Sequence, residues 1–416
     1  MLTGKIFSKV TNLFITVSIA FSISSCSHRD ISISTDTINT VKSQSNAVKG
    51  QYVVKFKQTL STATIMELAK NVNATVIKIA NRLSSAVLEF SSSSLDLTQQ
   101  LEALKSDANV EFVEPNYQYK GNYTVNDPKS SQQGGLALAG LAKAWDITMG
   151  DPKIIIGIVD TGADLNHPDL KNKLVAGYNV ITQGKTPPMD DNGHGTHTAG
   201  IAGADTDNKI GIAGAAPKCK VMPVKALDAK GSGDIFNVAL GIIWAVDHGA
   251  KVLSLSLGGP ENETVKRAVN YALLKNVVVV AAMGNDGKNV KAYPAAIPGV
   301  IAVGSVDANR SKSDFSNYGN WMSVMAPGSQ IMSTLPTYTS TMSEEEFKSK
   351  GYDYLDGTSM ACPIVAGIAA LMLSRNPDYT PAEVKERLES TATHLGKDGF
   401  NPEYAHGLVN AAKAVL

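Results

Sequence analysis

Residues 153–162 read KIIIGIVDTG. Isoleucine and valine dominate the run without polar alternation, and the polar residue that ends it is Asp160. A strand with one wet face alternates apolar and polar positions. A strand apolar throughout is covered on both faces, as in a parallel sheet flanked by helices. The same texture recurs downstream in KVMPVKAL (220–227), KVLSLSL (251–257), VVVVAA (277–282), VIAVGS (300–305) and WMSVMAP (321–327). Between these runs the period changes. From Asp234, residues Ile235, Val238, Ile242 and Val246 share one helical face, and further helices are expected over 263–275, from about Ser359 and from Thr380. Strands alternating with helices give an α/β fold with a mainly parallel sheet between helices. Ligands of such sheets bind beyond the carboxyl ends of the strands, and there Asp160 closes one strand and Asn285 follows another.

Upstream the pattern is different. QYVVKFK (51–57), ATVIKIA (74–80), AVLEF (86–90) and NVEFVEPN (109–116) read as strands, the last ended by Pro115. Helical spacing of Ile65, Leu68, Ala69 and Val72 follows Ser61 and Thr62, which are capping types, and Leu97, Leu101 and Leu104 mark a second helix. The order β-α-β-β-α-β is that of a small ferredoxin-like α+β domain, which by itself says nothing about activity. Four segments result: an export signal over 1–25, a Ser/Thr/Asn-rich flexible tether over 26–49, the small domain over 50–120 and the α/β domain over 121–416.

Lys5 and Lys9 precede the apolar run LFITVSIAFSI (13–23), too short to span a bilayer comfortably and flanked like an export signal. ISSC (23–26) then resembles the bacterial lipoprotein box, with Cys26 as the lipidated residue; the other reading is an ordinary secretory signal with an incidental cysteine. Either places the chain outside the cytoplasm. Basic and acidic residues balance at 38 each, which argues against a broad electrostatic footprint, so no nucleic-acid partner is expected. Three cysteines, Cys26, Cys219 and Cys362, make no disulfide framework, although a Cys219–Cys362 bridge is open on sequence alone.

Three motifs carry chemistry: IVDTG with Asp160, NGHGTHTAG with His194 and His197, and GTSMACP with Ser359 and Cys362. A serine hydroxyl needs a base to take its proton, and an imidazole serves when a buried carboxylate fixes its tautomer. Spacing leaves both histidines open, because residues three apart share a helical face. The chain order Asp, His, Ser is one of three known for this chemistry. Together with YTVND, NHPDL, GIAGAAP, KVLSLSLGG, AAMGNDG and APGS, these motifs resemble, over about residues 123–414, the subtilisin family of serine endopeptidases, most closely its thermitase branch. Residues 50–118 resemble that family's inhibitory pro-domain.

The resemblance implies a triad of Asp160, His194 and Ser359, with His197 structural and Asn285 the side-chain donor to the oxyanion. It implies two substrate-binding edges, Gly231, Ser232 and Gly233 on one side and Ser256, Leu257 and Gly258 on the other. A peptide held between them by main-chain hydrogen bonds would be cut with broad specificity. It also implies one tight structural Ca²⁺ site from Asp127, Asp169 and Asn208 with the carbonyls of Asp205, Ile210 and Ile212. A second calcium loop is expected to be absent or weak, because Asn179, Thr182 and Gly184 stand where carboxylates would be. The pro-domain would act as inhibitor and folding chaperone of a self-processing zymogen, with protein or peptide substrates, a monomeric state, and membrane attachment through lipidated Cys26 until processing releases the mature domain. The alternative is a non-catalytic binding protein on a subtilisin scaffold.

Four departures stand out. Met283 replaces a small residue, which puts the shape of the first specificity pocket in question; Ile364 replaces a histidine; and Cys362 is expected to be a small buried residue that bulky thiol reagents reach by crowding the serine. The long segment from Pro336 to Gly357, with Glu344, Glu345 and Glu346, is expected to be a solvated excursion rather than a rim of the cleft.

Overall fold

The computed structural model describes residues 47–91, 94–118, 124–396 and 399–416; the expected export signal, Cys26 and most of the tether lie outside them. Two compact units divide at Tyr119/Lys120. The first contains β1 (Ala47–Phe56), α1 (Thr62–Asn71), β2 (Ala74–Ala80), β3 (Ser85–Phe90), α2 (Ser94–Lys105) and β4 (Val110–Tyr117). Its sheet has the order β2-β3-β1-β4, antiparallel throughout. Val54, Phe56, Leu88 and Leu104 are among the residues of its closed core. Ser61 caps α1, its hydroxyl accepting from the Thr64 N–H.

Two details differ from the sequence reading. Strand β1 begins at Ala47, inside the segment expected as tether, because Ala47 pairs with Tyr117. Pro115 does not end β4 but sits within it, opposite Tyr52. As β4 is an edge strand, a missing N–H can face the open side without breaking the ladder.

The second unit begins with the short α3 (Gly134–Leu138) and α4 (Leu141–Trp145), then β5 (Ile155–Asp160), β6 (Tyr178–Asn179), α5 (His194–Gly203), β7 (Lys220–Lys225), α6 (Ile235–Asp247), β8 (Val252–Leu255), α7 (Glu263–Leu274) and β9 (Val278–Ala282). There follow β10 (Ile301–Val306), β11 (Val324–Pro327), β12 (Ile331–Thr334), α8 (Thr341–Glu345), β13 (Tyr352–Leu355), α9 (Thr358–Arg375), α10 (Pro381–Thr391) and α11 (Ala411–Ala414). Seven strands form one parallel sheet in the order β11-β10-β9-β8-β5-β7-β6. β12 and β13 form a separate antiparallel pair. The chain enters the sheet at β5, lays β6 at the edge and then β7 between them, and crosses to β8 on the other side. The order therefore reverses at β5, which opens a crevice at its carboxyl end. Asp160 is the last residue of that strand. Helix α9 is buried on nearly every face, which explains its lack of an amphipathic pattern and gives Ser359 a rigid base.

Candidate active site

Asp160 is fully buried and faces the first residue of α5. Nδ1 of His194 lies 2.8 and 2.9 Å from its two carboxylate oxygens. An ionised carboxylate only accepts, so Nδ1 carries the proton and the lone pair of Nε2 is left for a reacting group. The Thr161 N–H donates to Asp160 Oδ1 at 2.7 Å, and the Thr198 hydroxyl approaches Oδ2 at 3.4 Å. Burial pulls the His194 pKa down, but the charge and hydrogen bond of Asp160 outweigh it, with smaller help from Asp190 and Glu346, so it stands above the ordinary 6.5.

His197 settles the alternative left by spacing. Its Nε2 lies 3.2 Å from the Asp353 carbonyl, away from Asp160. Burial drives its pKa down to about 3, so it stays neutral.

The turn that delivers His194 is organised by Asp190, whose role the motif did not reveal. Asp190 is buried and accepts from the N–H groups of Asn192, Gly193 and Thr196 and from the hydroxyls of Thr161 and Thr196, at 2.6–3.0 Å. Gly193, just before the helix, has φ 122°, a conformation that a side chain would strain. The signal available in the sequence was an acid two residues before Asn-Gly, the pattern of a side chain bonding its own turn.

Ser359 is the second residue of α9. Its hydroxyl donates to the Ser256 carbonyl at 3.3 Å, while the Ser256 hydroxyl donates to the Ser359 carbonyl at 2.8 Å. Asn285 stands opposite, its Oδ1 accepting from the Thr358 N–H at 2.9 Å and the Thr358 hydroxyl at 2.8 Å. Those two donors fix which way the amide points and leave Nδ2 for the cleft. Asn317, also buried, ties the 283–288 turn together, accepting from Asp286 N and Lys288 N and donating to the Met283 carbonyl. Thr358 and Asn317 were invisible to motif reading because neither is a reacting type.

Two cavities meet at the segment Ser256–Leu257–Gly258. One, of about 460 Å³, holds Ser359, Asn285 and Gly284. The other, of about 410 Å³, holds His194, the Gly231–Ser232–Gly233 edge and Glu346. The expected substrate edges thus line one continuous groove. Met283 is a correction: it is buried with its sulfur against Gly304, and Ala282 and Gly284 line the first pocket instead. Ile364 is buried in α9.

The 336–357 segment is a second correction. It packs on the turn before His194 and lines the cleft, because Met342 is apolar enough to bury there against Gly193 and Leu335 is buried beside it. Cys362 is a third. Its thiol points into the sheet, 3.5 Å from Ser254 Oγ and from the Val280 carbonyl, and lines neither cavity. Burial pushes it up to about 11, so it stays a protonated thiol out of reach of bulky reagents. Cys219 and Cys362 are unpaired, each beside a serine hydroxyl.

Of the residues expected to hold calcium, Asp127, Asp169 and Asn208 are tied to one loop. Asp127 and Asp169 are buried, and among the described residues neither enters an ion pair. Asp127 accepts from the N–H groups of Asp207 and Asn208; Asp169 accepts from Ile212 N and from Asn208 Nδ2. Burial raises both carboxyls, Asp169 to about 6, and the charge of Asp127 adds to the latter. Asp207, Lys209 and Gly211 all have positive φ, so the loop carrying Asp205, Asn208, Ile210 and Ile212 is tightly wound. Two buried carboxylates without a cationic partner fit a hard cation, and Asn208 presents its Nδ2 to Asp169 while its Oδ1 accepts from Ile210 N, so its amide would turn over to ligate. Among the described residues no group of three or more His, Cys, Asp or Glu forms a metal cluster. The second loop is tied by its own side chains: Asn179 Nδ2 donates to Thr186 Oγ1 at 3.1 Å and Asn179 Oδ1 accepts from Thr182 N at 3.2 Å.

Comparison with known proteins agrees with this architecture. Residues 151–407 match the model of the subtilase family, and residues 33–116 that of the fervidolysin N-terminal prodomain. A thermophilic serine proteinase of Bacillus sp. (strain AK1) is 38 % identical over 380 residues, 91 % of this chain and 90 % of that protein. Thermitase of Thermoactinomyces vulgaris is 47 % identical over 295 residues, 70 % of this chain and 99 % of its own. Among solved structures, fervidolysin of Fervidobacterium pennivorans, a keratinolytic enzyme, aligns with a TM-score of 0.64 at 30 % identity, over 89 % of this chain and 61 % of that one.

Proposed function

The chain belongs to the subtilase family of serine endopeptidases and carries an N-terminal prodomain; from that premise we propose a self-processing zymogen that cuts proteins with broad specificity through Asp160, His194 and Ser359. The observation that carries the proposal is the pairing of His194 Nδ1 with buried Asp160 at 2.8 and 2.9 Å, which leaves Nε2 as a base. Ser359 Oγ leaves its Ser256 acceptor, attacks the scissile carbonyl carbon and passes its proton to His194. Oxyanion charge falls between Asn285 Nδ2 and the Ser359 N–H. Collapse breaks the C–N bond as His194 protonates the leaving amine. Water, deprotonated by His194, then releases the acyl group from Ser359.

Asn285→Leu is expected to lower kcat by about 10²–10³ with KM little changed, a size known from subtilisin, a relative of this chain. Steady-state rates on a fluorogenic peptide measure it. A change in KM alone would place Asn285 in ground-state binding instead.

Asp127, Asp169 and Asn208, with the carbonyls of Asp205, Ile210 and Ile212, would hold calcium, whose charge neutralises the two buried carboxylates. At calcium about a hundredfold above Kd, chelation is expected to lower Tm by roughly 4 °C. In Asp169→Asn the Tm values with and without chelator should converge. Equal sensitivity in wild type and variant would remove these residues from the site.

The order anchor, prodomain, peptidase suggests a consequence. With lipid on Cys26, cleavage near residue 122 frees the peptidase from the membrane, so maturation and release are one event. The basic flank of Lys5 and Lys9, the apolar run 13–23 and the ISSC stretch ahead of the prodomain support that reading.

A further inference from the structure

The loop between β12 and β13 carries an inference that rests on the endopeptidase reading above. It is fixed to the turn that precedes His194. The N–H groups of Thr341 and Met342 donate to the carbonyls of Asp191 and Asn192 at 3.1 and 3.0 Å. The Tyr338 hydroxyl donates to the Asp190 carbonyl at 2.7 Å, and Ser340 and Ser343 close α8 with a reciprocal cap. The N–H groups of Glu346 and Lys348 then fold back on the Met342 carbonyl. This wrapping brings Glu346 to the wall of the cavity shared with His194 and Asn192.

The charges around it are disposed unevenly. Lys348 donates to the Tyr354 carbonyl and Lys350 to Thr339 Oγ1. Asp191, on the same turn, is paired with Lys225 at 2.6 Å. Among the described residues Glu346 has no ion-pair partner. Lys230 also lines the cavity, but next to Gly231 on the substrate edge.

An extended peptide in this groove sends successive side chains to opposite faces. The residue that supplies the scissile carbonyl points into the pocket beside Ser359 and Asn285. The residue before it therefore points the other way, toward His194 and Asn192. We propose that Glu346 makes this second subsite selective for a cationic side chain, arginine or lysine. Lys230 lines the same cavity from the Gly231 edge, so the ratio between peptides reads the balance of the two charges.

The test uses fluorogenic peptides identical except at that residue, which is arginine, norleucine or glutamate. Because Glu346 is solvent-exposed, the expected arginine-over-norleucine ratio in kcat/KM is modest, about three- to fivefold at low salt. It shrinks as salt is raised toward about 0.5 M. E346Q should bring the ratio to about one, and E346K should favour glutamate over arginine. The ratio between peptides, not the absolute rate, is the readout, so a general loss from a disturbed loop does not mimic the result. Equal cleavage of the arginine and norleucine peptides by wild type at low salt overturns the assignment, as does a preference that survives E346Q or is indifferent to salt. No turnover of any peptide by the folded mature enzyme would overturn the endopeptidase reading and this one with it.

Discussion

Ser359→Ala is expected to lower kcat/KM for peptide hydrolysis by about 10⁶, the size known for loss of the nucleophile in subtilisin. The hydroxyl sits at the start of a helix whose burial fixes its position, and removing one oxygen there leaves that packing intact. The fold should therefore survive. The same substitution should arrest maturation, because self-processing as proposed above uses the same nucleophile. N-terminal sequencing of membrane and soluble fractions would read both effects: the variant stays on the membrane as a chain starting at Cys26, while wild type accumulates a soluble form starting near residue 122. A fully active membrane form of wild type that still begins at Cys26 would separate activity from release. Processing of the variant at the wild-type rate would assign maturation to another protease.

Asp160→Asn should cost about 10⁴ in kcat, and its pH profile carries further information. Asp160 is the largest influence holding the His194 pKa above 6.5 against burial. Peptide cleavage needs neutral His194, so in wild type kcat/KM falls as pH drops through that raised value. An amide in place of the carboxylate removes the upward pull and can donate to Nδ1, which favours the wrong tautomer. The acid limb then moves to lower pH while the plateau falls. A merely structural aspartate would lower the plateau without moving the limb in that direction, so the profile of kcat/KM against pH distinguishes the two.

Much of this was legible in the sequence because the reacting residues fall in short runs at strand and helix ends. The unbroken apolar texture of residues 154–159 marked a doubly covered strand, and Asp160 at its end follows from the rule for parallel sheets. Periodicity located α6, α7 and α10 to within a residue or two. It missed β6, β12, β13, α3, α4, α8 and α11, of two to five residues, which are too short to show a period, and it set no bounds for α5. Histidine choice was not legible from spacing, since i and i+3 share a face, and was decided by which ring meets Asp160.

The supporting shell was the least legible. Asp190, Thr358 and Asn317 act through hydrogen bonds to residues far away in sequence or to their own turns. Each has an unremarkable residue type, and nothing in a linear motif distinguishes such a partner from a loop acid or a cap. The Glu344–Glu346 run was read as solvated because charged runs usually are. Those side chains are exposed, but the charge run hid Met342, which buries against Gly193 and, with the hydrogen bonds of Thr341, Met342 and Tyr338 to the 190–192 carbonyls, holds the loop on the cleft.

The most direct measurement is to label the mature wild-type enzyme, and each variant in the form it reaches, with a fluorophosphonate and map the adduct by mass spectrometry. The account predicts one equivalent of label on Ser359, loss of activity in proportion, much slower labelling in Asp160→Asn and none in Ser359→Ala. A folded enzyme that hydrolyses peptides but takes no label, or carries it on a residue other than Ser359, would contradict it.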